Sequence, residues 1–138
     1  MVYSDKLIRG ISNPQMIDDQ GKASGELFHF EDSGRIEGFS EVSINWYDDE
    51  GALDHILNQR KQDSAIQFKV GAAIILRNDI DHLIELLFKN LIYYDRDKLP
   101  DNIYHGNILR KSEVTKQIKT TISQAIALKV NYFVPQNN

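Results

Sequence analysis

The residues with the greatest chemical potential sit together in the segment 99–108, Leu-Pro-Asp-Asn-Ile-Tyr-His-Gly-Asn-Ile. His105 can take or give a proton near neutral pH, and Asp101, four residues earlier, is a candidate to orient its ring. Gly106 would let a ligand come close to the main chain. These two side chains define a small hydrolase or nuclease reading. The same residues also read as a Pro-Asp-Asn turn feeding a strand, with Tyr104 and His105 on opposite faces and no serine or other nucleophile beside them in sequence. That structural reading weighs against catalysis.

The remaining histidines, His29, His55 and His82, are not spaced as paired metal ligands on one helix or one strand. The run Asp48-Asp49-Glu50 has the hard oxygen ligands a divalent cation wants, but it falls where a helix should begin, and carboxylates there compensate the exposed amides of the first turn. Asp18-Asp19 with Gly21 is ordinary turn chemistry. No glycine-rich phosphate loop, nucleophile elbow or HExxH helix occurs. Neither a metal nor a cofactor is expected.

Charge points elsewhere. The chain of 138 residues carries 16 basic and 20 acidic side chains, a net charge of −4. The acidic ones concentrate before Ser64 and the basic ones after it, so a bipolar surface is expected. Trp46, Tyr47, Asp48, Asp49, Glu50 and Asp54 form the candidate partner-binding patch, with the two aromatics as anchors around which a basic protein would dock. Alternation of Trp46 with Val42 and Ile44 gives the opposite reading for that residue, burial in the core. Arg110, Lys111, Lys116 and Lys119 are the candidates for contact with nucleic acid. Net acidity and the lack of interleaved aromatics make nucleic acid the weaker partner.

The elements that must position these residues follow from hydrophobic period. Strands are predicted over 6–11, 26–31, 42–47, 66–76 and 103–109, the fourth from unbroken alternation of Ile66, Phe68, Val70, Ala72, Ile74 and Leu76. Helices are predicted over 50–61, capped by Asp48 or Asp49, over 79–92, capped by Asn78 or Asp79, and after Ser112, with the stripe Val114, Ile118, Ile122, Ala125 and Ile126 inward. Residues 93–102 read as a charged turn region and 131–138 as a tail. The expectation is one α+β domain over 1–138, a mostly antiparallel sheet of about five strands with about three helices in the order βββαβαβα. The fourth strand, second helix and fifth strand form a candidate right-handed parallel crossover. Absence of cysteine removes disulfides, thiolate nucleophiles and cysteine metal sites. No apolar run reaches the roughly 20 residues of a membrane span, and the first ten residues lack a signal peptide's apolar core. A cytoplasmic protein is expected.

Several quoted segments together carry a resemblance. Leu7-Ile8-Arg9-Gly10-Ile11, Ile17-Asp18-Asp19-Gln20-Gly21, Phe28 and the late turn of 99–108 resemble, in that order, a layout found in small bacterial proteins of unassigned function. This chain departs from it in having Ile103 where a second proline is usual, and in a longer helical insert over 79–92. The resemblance implies an accessory or interaction role beside defence-like neighbours and supplies no catalytic residues. The leading expectation is therefore a non-enzymatic protein–protein interaction module, an accessory or immunity-type subunit of a bacterial conflict or antiviral defence system. Its partner would be another protein or a second copy of the chain. A nucleic-acid accessory role for the basic last helix is the third reading.

Overall fold

A computed structural model describes residues 5–137. Six strands form one antiparallel sheet: β1 (Lys6–Ile11), β2 (Phe39–Trp46), β3 (Gly71–Leu76), β4 (Ile92–Arg96), β5 (His105–Lys111) and β6 (Val130–Pro135), in the spatial order β4-β5-β2-β1-β3-β6. Three helices accompany them, α1 (Glu50–Asn58), α2 (Arg77–Leu86) and α3 (Lys116–Ala127), with single-turn 3-10 helices at Pro14–Met16 and Gly25–Phe28. The class is α+β.

The central position of β1 explains its sequence. Leu7 and Ile11 point to one face and Ile8 to the other, and all three are fully buried, because this strand is covered on both sides. On the first face Leu7, Ile11, Val42, Ile44, Trp46, Ala73, Ile75 and Ile108 meet α2, α3 and the turn Gly25–Phe28 in the main core. On the second face Ile8, Ala72 and Ile74 lie beneath Ala52 and Ile56 of α1. Among the described residues, α1 covers the β1 and β3 side of that second face and touches β2 at Asn45. Asp49 caps α1 by accepting from the Gly51 amide, as its position before the helix dictates.

Several expected elements shift. Six strands replace five, because 93–102 begins with β4 and 131–138 begins inside β6. Tyr94 supplies an inward ring and hydroxyl on β4, so a strand that looks charged still has one buried side. β6 pairs with β3 from Gly71↔Pro135 to Ile75↔Val130, which turns the expected tail into an edge strand. Residues 26–31 are not a strand. Ser24 accepts from the Glu26 amide and winds this stretch into a 3-10 turn, leaving only Glu31 bridged to Glu41.

The parallel crossover is overturned. β3 and β5 are separated in the sheet by β1 and β2, and α2 leads to β4 instead. α2 starts at Arg77 with no side-chain cap, ahead of Asn78 and Asp79, and stops at Leu86. Asn90, with φ 65°, then reverses the chain into β4. The cap of α3 is Thr115, which accepts from the Ile118 amide, and not Ser112. β3 begins only at Gly71, whose φ of 141° and packing against the Val134 carbonyl leave no room for a Cβ.

Candidate functional site, a polar cleft on the open half of the sheet

On the second face, the strands on the far side of β1 carry polar side chains: Glu41, Ser43 and Asn45 on β2, His105 and Asn107 on β5, and Asp95 on β4. Period-2 alternation places them there, opposite the apolar row Val42, Ile44 and Ile108. A cleft of about 730 Å³ lies between this floor and α1, and a second compartment of about 330 Å³ continues toward Arg35. The two share Arg9, Ser43, Leu99 and His105.

Arg9 sits at the junction for a backbone reason. β1 and β2 pair only at Leu7↔Trp46 and Ile8↔Asn45 and then part. The guanidinium of Arg9 fills the opening, donating from Nε to the Leu27 carbonyl at 2.9 Å and from a terminal nitrogen to the Ser43 carbonyl at 2.9 Å. No carboxylate lies within ion-pair distance of it among the described residues. Burial pushes its pKa down to about 10, a shift that the charge of Glu31 only partly offsets. Gly10 beside it is required by packing. A Cβ there would meet the Phe68 ring at 2.4 Å.

The opposite wall is tied together by buried amides. Asn45 donates to the Ala52 carbonyl at 3.1 Å, and Asn102 donates to the side-chain oxygen of Asn45 at 2.9 Å. These bonds hold the 99–102 turn against the start of α1. His55 Nε2 lies 2.7 Å from the Asp101 carbonyl, while its Nδ1 is buried without a partner. In the second compartment Asn107 donates to Asp95 at 3.0 Å, and its own side-chain oxygen has no partner.

Arg35 closes the far end, contacting Glu41 and Asp95 at 2.9 Å each and Asp97 at 3.8 Å. Burial alone would push Glu41 up, but hydrogen bonds from Arg35 and Ser33, with the charges of Arg35 and His105, hold it below its ordinary 4.5.

His105 lines both compartments, as its residue type suggested, but its partner differs from the expected one. Its Nδ1 is 2.9 Å from the Asp97 carbonyl and 3.4 Å from the Asp97 carboxylate. Asp101 is on the far wall, where its carbonyl meets His55. The pairing changes because the strand pair β4 and β5 brings the end of β4 beside His105. Gly106 serves packing and not a ligand, since a Cβ would strike the Trp46 indole nitrogen at 2.2 Å.

The acidic patch is divided. Trp46 is 1% exposed. It donates to the Asp95 carbonyl at 3.1 Å, with the Arg96 guanidinium 4.6 Å over its ring, so it is a core residue and offers no exposed anchor. Asp48 is gripped by two nitrogens of Arg96 at 2.6 and 2.7 Å. Asp49 accepts from Gly51 and from the Tyr104 hydroxyl, each at 2.8 Å. Tyr47 is half-buried with the Lys6 ammonium 5.8 Å from its ring. Glu50 and Asp54 are left exposed.

Among the basic candidates, Arg110, Lys116 and Lys119 line one recess on the other face, whereas Lys111 ends β5 away from it. Among the described residues no group of three or more His, Asp or Glu could hold a metal ion, and no helix is long and apolar enough to cross a membrane.

Sequence reading missed Arg9, Arg35 and His55. The signal for Arg9 was present, a charged residue on the same strand face as Leu7 and Ile11. Arg35 and His55 carry no such mark, because only the fold brings residues so far apart in the chain to one cleft. No protein-family model, no curated protein and no solved structure matches the chain.

Proposed function

We propose that this protein is a non-catalytic binding module, and that the cleft between α1 and Arg35 receives an acidic, extended segment of a partner protein. One observation carries the reading. Arg9 stands half-buried at the junction of both compartments, with two main-chain carbonyls as its hydrogen-bond partners and no ion pair among the described residues. A half-buried guanidinium held by carbonyls and no carboxylate has donors to spare toward the cleft, and an incoming carboxylate would engage them in charge-assisted hydrogen bonds. The partnerless His55 Nδ1 and Asn107 oxygen on either side of it would likewise gain from donors on a main chain. Two compartments joined at a shared waist suit a chain that runs through better than a compact ligand. Interaction through a partner protein thus stays the leading role, while its surface moves from Asp48 and Asp49, which are engaged within the molecule, to the cleft.

The test is chemical-shift mapping with a glutamate-rich peptide against a lysine-rich one. Shifts confined to Arg9, Ser43, His55 and His105, with an affinity loss of about 10–100-fold in Arg9→Gln, are expected. Shifts clustered instead on Glu50 and Asp54, or binding only of the lysine-rich peptide, would overturn the reading. Arg9→Lys keeps the charge and gives an intermediate loss.

A hydrolytic role has one observation in its favour. Engagement of His105 Nδ1 by Asp97 leaves Nε2 as the proton acceptor on the cleft side. Hydrolysis of a nitrophenyl ester or phosphodiester that disappears in a folded His105→Ala variant would establish it, and absence of turnover in the unaltered protein would dismiss it.

A further inference from the structure

The recess on the other side of the sheet shares His29 and Glu31 with the edge of the cleft, but its cationic wall of Arg110, Lys116 and Lys119 is its own. It has a volume of about 770 Å³ and lies between the 3-10 turn Gly25–Phe28 and the first half of α3. Arg110 forms its inner wall. The side chain lies on the same face of β5 as Ile108 and is 3% exposed.

A cation so deeply placed is normally paired. This one donates from a single terminal nitrogen to the Lys111 carbonyl at 2.7 Å, and its guanidinium carbon lies over the Phe30 ring, 5.1 Å from the centroid. Its Nε is buried with no partner, and among the described residues no carboxylate stands within ion-pair distance. The nearest candidate, Asp32, is turned to the Ser40 hydroxyl, which is itself 3.0 Å from Ser112. Burial accordingly pushes Arg110 below its ordinary pKa, with the charge of Asp32 acting only against that trend.

Two more cations stand at the mouth. Lys116 and Lys119 are three residues apart on α3, hence on one face of the helix, and both line the recess without an ion pair among the described residues. Thr120 and Ser123 add hydroxyls on the same wall, although Ser123 already donates to the Phe28 carbonyl at 2.8 Å. Glu26, Glu31 and Asp32 line the opposite side, so the site selects for an anion that reaches the cationic wall and disfavours one that spreads across the whole recess.

We infer that this recess binds the phosphate monoester of a small molecule, with Arg110 gripping the phosphoryl oxygens from below and Lys116 and Lys119 closing over them. A doubly charged phosphoryl group matches a planar guanidinium flanked by two ammonium groups better than a single carboxylate does. A small molecule is favoured over a nucleic-acid strand for two reasons. The Phe30 face that a base would stack on is occupied by Arg110, and a chain of net charge −4 offers no long cationic track.

The experiment titrates the full chain with inorganic phosphate, a mononucleotide and a single-stranded oligonucleotide, read by calorimetry and by amide shifts of α3. Saturable binding of phosphate or mononucleotide is expected, stronger for the mononucleotide above its second phosphate pKa of about 6 than below it. Arg110→Gln should weaken it about 10–100-fold. Because Arg110 is a core residue, the pair Lys116→Gln with Lys119→Gln at the mouth provides the second arm, and a clear loss is expected there in a protein whose circular dichroism matches the unaltered chain. Lack of saturation, affinity unchanged in the double variant, or binding of the oligonucleotide alone with steep salt dependence would each overturn the inference. None of these outcomes depends on Arg9, so the two sites fail or stand separately.

Discussion

The two halves of the second sheet face differ more from each other than either does from solvent or core. Under α1, Ile8, Ala72 and Ile74 are fully buried against Ala52 and Ile56. Across the same sheet, Glu41, Ser43, Asn45 and Asn107 occupy equivalent positions, with Glu41 held by an ion pair and Asn45 and Asn107 by side-chain hydrogen bonds. The first half draws its stability from area removed from water. The second contributes little to stability for its size and keeps polar atoms unsatisfied, which is the condition in which a surface gains from a ligand. Division of labour within one sheet follows the side-chain pattern: α1 seats Ala52 and Ile56 on the apolar row of β1 and β3, while only Asn45 of the polar row bonds to it.

Substitutions can break or sharpen this contrast. The largest effect should come from Ile74→Ala, which opens a void beneath α1 and is expected to cost about 2–5 kcal/mol in urea denaturation. Gly10→Ala comes next. Its Cβ would collide with the Phe68 ring, so a loss of about 1–3 kcal/mol is expected together with altered amide shifts along the cleft wall.

Arg35→Gln should change the response to acid more than the stability itself. Glu41 has a folded pKa below 4.5 in its clamp with Arg35. Its stabilising contribution is therefore full above that value and lost as pH falls through the lower folded one. Removing Arg35 should flatten this acid limb, while the midpoint at neutral pH moves by at most about 1 kcal/mol for so exposed a side chain. Ser43→Ala, on the open half, should stay within about 0.5 kcal/mol. Should Ser43→Ala prove as damaging as Ile74→Ala, the contrast between the halves would be lost.

How much of this was legible before the coordinates depends on the local signal of each element. Alternation in β2 and the four-residue stripes of α1 and α3 mark those elements, because each buries an apolar row, whereas the alternation over 66–76 starts β3 five residues early and the stripe of α2 runs past Leu86 to the exposed Leu87. β4 hides because Tyr93, Asp95 and Arg96 are polar, and its one ring on the inner side, Tyr94, satisfies its hydroxyl on Asp81 at 2.7 Å. β6 hides because an edge strand near a chain end needs only one good face. His105 was readable as a site residue from its type, but its neighbour was not, since the pairing of β4 with β5 decides that Asp97 and not Asp101 reaches the ring. Arg110 was visible only as one basic residue among several. Its burial, which separates it from Lys111, exists only once the sheet is formed.

The strand order has a consequence for how the molecule comes together. Three of the five junctions join strands that are not successive in the chain, β5 with β2, β1 with β3 and β3 with β6. Such contacts require distant segments to meet before any hairpin can reward them, which slows nucleation and lengthens the time that sticky edges stay open. During synthesis, β3 waits with one flank bare until residue 130 emerges, and a chain stalled in that interval would present the unpaired backbone of β3, an invitation to aggregation that β6 later closes.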